Sequence, residues 1–483
     1  MSNPELSSLS APFTPPVAKP YPNVLETHGD RRIDPYYWMR DRNHPELIPY
    51  LEAENAYTQA QMAHTAELQA QLYDEMLGRI QETDLSVPYR HGPYFYYNRT
   101  EEGKAYSIFC RQLGSEEPDL EGDIKTSDDT ILDQNALAEG ESFFSLGTTT
   151  VSPDHAYLAY STDTNGSESY TLYVKDLARD SLFPERIAAV DGVAWANDSQ
   201  TLLYTKIDQA HRPFQVWRHQ VGTDPKTDEL VYEEPDDSFY LNVSRTRSSA
   251  YILLTAESKI TSEIRFLNAD HPTAPFQLIQ QRLPGVEYAV EHHPGEGSEA
   301  SKDCFYIVTN ADGAINFKLM VAPVSTPGKE HWRTVLPHRP QVMLKAIDVF
   351  AHHLVRYERE RGLPTIQIQA LPTTDCLTPD EHQITFPEPT YSVYAAKMPE
   401  FDTHILRFTY TSLITPSSVF DYDMDRHQRQ LKKETPVLGG YKPEQYRSEW
   451  LMAIASDGTE IPISLIAPKD CHRKRISVGA ITN

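Results

Sequence analysis

The chain has 483 residues, more than one hydrophobic core usually serves, so two or more structural units are expected. Its 69 acidic and 44 basic residues give a formal net charge of -25 at pH 7, which argues against binding nucleic acid through its phosphates and favours basic ligands. A composition that is 39% hydrophobic and 10% aromatic, with 28 Tyr, excludes a largely disordered chain, and no apolar run reaches membrane-spanning length.

Residues 1–22 are rich in Pro and Ser and read as extended or poorly ordered; they show no basic stretch followed by an apolar one, so a cytoplasmic location is expected. Residues 23–88 read as a helical segment. Asn43, Pro45 and Glu46 stand where an N-cap, an early helical proline and the return partner of a capping box belong, which predicts a helix from about Pro45 into the sixties. A second helix carries Leu68, Leu72, Met76 and Ile80 on one stripe, an apolar face that must bury against something.

From residue 89 to 430 one cassette recurs: a polar turn, an aromatic and β-branched strand, another turn, another strand. Its clearest copies occupy 151–177 and 193–220, with looser ones near 93–110, 240–267, 288–323, 345–371 and 391–422. A spacing of roughly 40–55 residues is the period of a four-stranded propeller blade, so a mainly β fold with a seven-bladed β-propeller is expected. Two β-sandwiches would also give many short strands, but sandwiches do not repeat a turn-strand cassette at a fixed period. Beyond the repeats, residues 431–483 carry a hinge signal at Gly439 and Gly440, then two alternating runs joined through Asp457 and Gly458, the signature of a hairpin.

Little in the residues points to chemistry. Cys110, Cys304, Cys376 and Cys471 lie far apart and read as reduced thiols. The pairs His292–His293 and His352–His353 lack helical ligand spacing and read as loop or strand-edge histidines. Neither a Gly-x-Ser-x-Gly elbow, a Ser-x-x-Lys pair nor a glycine-rich phosphate loop occurs. No catalytic, cofactor-binding or metal-binding residue is therefore assigned, and no cofactor is expected. Acidic runs at 233–237 and 119–123 could steer basic peptides to a propeller mouth, or could simply be solvated loops. Trp195, Trp217 and Trp332 read as packing within or between blades rather than as a stacking platform.

The segments 32–41, beginning Arg32-Ile-Asp-Pro-Tyr-Tyr-Trp, then 77–90, 94–104, 438–441 and 456–464 together resemble the oligopeptidase B members of the prolyl oligopeptidase family of serine peptidases. That resemblance implies an N-terminal helical stretch that packs on an α/β-hydrolase domain, and an inserted propeller that gates entry of short peptides, cut after Arg or Lys. It also implies that the nucleophile, acid and histidine belong downstream of Pro468, so residues 431–483 are expected to be a linker and the first β-hairpin of a truncated α/β-hydrolase domain. The expected partners are short basic peptides and a separate hydrolase-domain chain, with neither nucleic acid nor membrane. On this reading the chain is inactive alone; a peptide-binding or scaffolding propeller and one half of a split enzyme stay open as alternatives.

Overall fold

The structure, a computed structural model, describes residues 14–114, 117, 129–295, 303–371 and 380–471. It divides into two compact units: residues 1–81 with 437–440, and residues 82–436 with 441–483. The run at 119–123 and Cys376 lie outside the described residues.

In the first unit, strands Asn23–Thr27 and Asp30–Asp34 form a hairpin, followed by helices α1 (Leu47–Met62) and α2 (Ala66–Leu77). The capping expectation is corrected. Asn43 does not cap α1; its backbone N–H donates to Asp41 Oδ1 at 3.0 Å, because an aspartate two residues back closes its own turn. The N-cap is Glu46, and its carboxylate instead takes Lys19 Nζ and Tyr21 Oη, both at 2.8 Å. Ile80 falls beyond the end of α2, where Gly78 N–H returns to the Asp74 carbonyl. Leu68, Leu72 and Met76 remain 54%, 46% and 61% exposed, so the apolar stripe has no cover among the described residues.

The second unit is a β-propeller. The expectation of seven blades is corrected by the hydrogen bonding: five discrete blade-sized sheets, one of five strands and four of four, accompany one eight-stranded sheet. In chain order the first sheet covers residues 84–133, the second and largest 145–233, the third 240–280, the fourth 288–336, the fifth 342–383 and the sixth 391–434. The physical reason is a shared strand. Tyr170–Asp176 pairs with Tyr157–Asp163 on one side and, through an irregularity between Tyr170 and Leu172, with Ile187–Trp195 on the other. The two clearest sequence cassettes thus run in one ladder, while each of the last four lies in a sheet of its own.

The cassette itself has a local cause. In the turns after the first strands, Ser152, Ala196 and Thr246 each donate a backbone N–H to the carbonyl five residues on and accept from the residue three on. That last residue, His155, Ser199 or Ser249, sits at φ 61, 55 or 61. Asp154 and Asp198 carboxylates bond the turn amides, which is why Asp recurs there.

Side-chain alternation along each strand sends one face toward each neighbouring sheet, and the core is accordingly a series of separate clusters. Ala194, Leu203 and Val216 of the second sheet pack on Leu241, Ile252 and Leu254 of the third. Leu253 and Phe266 meet Val290, Phe305 and Ile307. Val308 and Leu319 meet Leu344 and Leu354, and Val355 and Ile366 meet Leu406 and Phe408. Trp195 is fully buried in the second sheet, and Trp217 and Trp332 pack against the clusters, as blade packing requires. From sixth sheet to first the contact is polar: Arg407 donates to the Pro88 carbonyl at 2.5 Å, and Lys433 reaches Asp84 at 2.6 Å.

After the sixth sheet, Tyr446–Ile454 and Glu460–Pro468 form a hairpin in unbroken register through Asp457 and Gly458. It lies on the fifth sheet: a Cβ at Gly362, which sits at φ +87, would come within 2.9 Å of Pro462 and 3.2 Å of the Trp450 ring. No described helix is long and apolar enough to cross a membrane.

Candidate functional site

The first strands and the turns that follow them converge on a cavity of about 430 Å³. Its wall includes His91 from the first sheet, Thr150 and Val151 from the second, Asn197, then Arg245, Thr246, Arg247 and Ser249 at the end of the third sheet's first strand. Glu291 of the fourth sheet and Met398 and Pro399 of the sixth complete it. The volume falls within the roughly 300–1,000 Å³ of small-ligand sites.

Two arginines on this wall are held differently. Arg247 is neutralised: it bonds Asp348 at 2.5 Å and the Met398 carbonyl, and its guanidinium lies 4.4 Å from the Phe350 ring centre. Asp348 is held in turn by Tyr357 Oη at 2.7 Å. Arg245 donates to the Trp195 carbonyl at 2.9 Å and to Asn197 Oδ1, but meets no carboxylate at ion-pair distance among the described residues. Burial pulls its pKa below the usual value.

Glu291 is the acidic counterpart. Its Oε2 is shielded from solvent and has no hydrogen-bond partner among the described residues. Burial pushes its pKa up to about 7, with Arg247 opposing the rise and Asp348 adding to it. His91 moves the other way, to about 4, chiefly through burial and then through the charge of His155. Its neighbourhood is tight: a Cβ at Gly92, at φ +59, would meet His155 Nε2 at 2.5 Å, and Gly92 N–H donates to Glu400 at 2.6 Å, joining the first sheet to the segment after the sixth sheet's first strand.

Beside the cavity lies a constellation that sequence patterns do not reveal. Ser248 Oγ stands 2.7 Å from His292 Nδ1, and His292 Nε2 bonds Asp303. In composition it is a serine–histidine–aspartate relay, yet none of the three lines the cavity. Their neighbours Arg247, Ser249 and Glu291 do: alternation along the strand Tyr288–His293 turns His292 away from Glu291, and Ser248 lies in the turn at 246–249. His292 is 1% exposed, edge-on to Tyr251 and Phe305. Ser248 Oγ also accepts the Ala250 N–H at 3.4 Å and lies 3.0 Å from Thr246 Oγ1, so it closes a turn.

The remaining sequence candidates disperse. His293 and His353 are buried at the ends of their strands, bonded to the Ala351 carbonyl and Asp425 respectively, whereas His352 is exposed. Within the acidic run at 233–237, Glu234 is buried and paired with Arg282 at 2.6 Å, which makes it structural rather than steering. Among the described residues, Cys110, Cys304 and Cys471 form no disulfide.

Residues 15–435 match the prolyl oligopeptidase N-terminal β-propeller domain. The chain belongs to this family. It is 33% identical over 454 residues to Protease 2 of Moraxella lacunata, covering 93% of this chain and 63% of that protein. Dipeptidyl aminopeptidase BI of Pseudoxanthomonas mexicana is 36% identical over 488 residues, with coverage of 98% and 65%. Among solved structures, oligopeptidase B from Leishmania major superposes with a TM-score of 0.87 at 30% identity, covering 95% of this chain and 65% of that one. The chain thus spans a little under two thirds of the length of these relatives. The cavity described above is lined wholly by residues between 91 and 399, within the matched propeller.

Proposed function

We propose that this chain is the peptide-admitting propeller portion of an oligopeptidase B-like serine peptidase that acts on short peptides after Arg or Lys, and that the catalytic serine, aspartate and histidine are supplied from outside residues 1–483. The observation that carries the binding half of this reading is the presence in one cavity of Glu291, whose Oε2 has no hydrogen-bond partner among the described residues, and Arg245, a guanidinium that meets no carboxylate among them. A peptide offers the complement of both: a cationic side chain for Glu291, and a carbonyl or terminal carboxylate for Arg245. A net charge of -25 raises the local concentration of such cations. Support for the catalytic half comes from the Ser248 relay, none of whose residues lines the cavity, and from relatives that extend well beyond the matched length.

A second reading, release of dipeptides from free N-termini, is favoured by the 36% identity to a dipeptidyl aminopeptidase. There the peptide's α-amine would take the place at Glu291.

Calorimetric titration of the chain with a short Arg-containing peptide at pH 6 and pH 8 tests both readings. Binding should strengthen at pH 8, where the Glu291 carboxylate is formed, and should weaken in Glu291→Gln. Loss of binding on N-acetylation of the peptide would favour the second reading, and pH-independent binding that survives Glu291→Gln would contradict both.

A further inference from the structure

At the rim between the fifth and sixth sheets, three side chains converge that the peptide site does not use. Asp380 and His382 flank and enter the short strand Glu381–Gln383, two residues apart and so directed to the same side. His427 comes from the turn between Ser418–Asp423 and Gln428–Glu434, where its φ of 57 holds the backbone left-handed and presents the ring. One ligand-type atom from each lies within 4.8 Å of the other two. The imidazoles of His382 and His427 stack with centres 3.6 Å apart, and His427 Nε2 is 3.0 Å from Asp380 Oδ2.

Packing alone does not account for this arrangement. Both ring nitrogens of His382 are shielded from solvent and have no hydrogen-bond partner among the described residues. An imidazole whose two nitrogens are desolvated and unbonded is an unfavourable state, and two stacked imidazoles cannot both be protonated without repulsion. The partners around the pair offer no relief: the Tyr422 ring lies tilted against His382 with centres 5.8 Å apart, and the nearby His353 is already bonded to Asp425. A cation that accepts one nitrogen lone pair from each ring and an oxygen from Asp380 gives one of the two His382 nitrogens a partner and keeps both rings unprotonated.

We propose that Asp380, His382 and His427 form a binding site for a divalent transition-metal ion of the zinc, cobalt or nickel class. Two imidazole nitrogens and one carboxylate oxygen are a donor set for these ions, whereas magnesium and calcium require mostly oxygen. Nitrogen and oxygen ligands at about 2.0–2.2 Å from a tetrahedral centre stand roughly 3.3–3.6 Å apart, so a spread of up to 4.8 Å closes with a shift of about an ångström. Asp380 and His427 can make that shift, since their side chains are 65% and 40% exposed. Solvent-side exposure also leaves the remaining coordination position open to water. Such an ion ties the last strand of the fifth sheet to a turn of the sixth and stabilises that junction as a ligand that binds only the folded chain.

The test uses the whole chain, treated with a chelator and titrated with Zn²⁺ and with Co²⁺, followed by calorimetry and by the visible absorption of bound cobalt. One ion per chain should bind, and Zn²⁺ should raise the unfolding midpoint. His427→Ala, an exposed turn residue whose loss should leave the sheets intact, should weaken binding by more than the roughly 10–100-fold typical of outer-shell changes and should abolish the rise in midpoint. His331→Ala, an exposed histidine elsewhere, should change neither. Stoichiometric binding that survives the His382→Ala/His427→Ala double variant, equal binding of Mg²⁺, or no binding at all to the folded wild-type chain would each overturn the proposal.

Discussion

Ser248 Oγ approaches His292 Nδ1 to 2.7 Å inside the wall between the third and fourth sheets, although the two residues are 44 positions apart in the chain. The bond joins two sheets through a buried histidine and belongs with the turn bonds around it. Ser248→Ala should therefore cost about 1–3 kcal/mol, the penalty for leaving a buried polar group unsatisfied. Urea unfolding measures it. Labelling of Ser248 by a serine-directed phosphonate in the folded chain would instead mean that this serine is reachable and reactive.

Glu291 gives stability a definite dependence on pH. Its folded pKa of about 7 lies above the ordinary 4.5, so the folded chain binds its proton more tightly than the unfolded chain does. The resulting stabilisation is fully present below pH 4.5 and is lost as pH rises through 7. At about 1.4 kcal/mol per pKa unit the loss is at most about 3.5 kcal/mol. His91, with its pKa lowered to about 4, acts in the opposite sense, destabilising the fold as pH falls from 6.5 toward 4, and it does so equally in wild type and variant. The difference between wild type and Glu291→Gln should therefore favour the variant increasingly between pH 5 and pH 8. A constant difference across that range, read from unfolding at several pH values, would be inconsistent with a protonated Glu291.

Gly362 should resist substitution. A side chain there is strained by the left-handed backbone and collides with Pro462 and Trp450 of the hairpin. Gly362→Ala should cost about 1–2 kcal/mol through the backbone alone, with more from displacement of the hairpin. Hydrogen exchange in 446–468 should speed up selectively, while the fourth sheet stays protected.

The stripe of Leu68, Leu72 and Met76 on α2 is exposed, with Tyr73 also 61% exposed beside it. Apolar faces of this kind drive association. The chain should sediment partly as dimers or larger species, and Leu72→Glu with Met76→Glu should shift it to monomer. A wild-type chain that is monomeric at high concentration would show that this face needs no cover.

The propeller was legible in the sequence through its turns. Ser152 with Asp154, and Asp198 with Thr201, write the same hydrogen-bonded turn into successive cassettes, and aromatic and β-branched residues mark the strands on either side. What the period could not reveal is that Tyr170–Asp176 continues its ladder into Ile187–Trp195, because an irregular pairing leaves no compositional trace. The capping box failed for a similar reason: Glu46 found partners in Lys19 and Tyr21, residues that a local pattern does not consult. Chemistry was harder to read still. Arg245, Glu291 and His91 lie on three different sheets, and each is unremarked in its own strand; only convergence of the first strands makes them neighbours. The serine relay is equally non-local, with Asp303 supplied from the chain segment after His292.

The account's central claim is that residues 1–483 receive peptides without cleaving them. Incubating the purified chain with a short peptide containing one internal Arg, and following both bound and cleaved species by mass spectrometry, tests it most directly. The account requires a bound peptide of unchanged mass, no new terminus after Arg, and binding that weakens in Glu291→Gln. Cleavage after Arg that is abolished by replacing one of the chain's own serines would contradict it, and would place a working nucleophile within these residues.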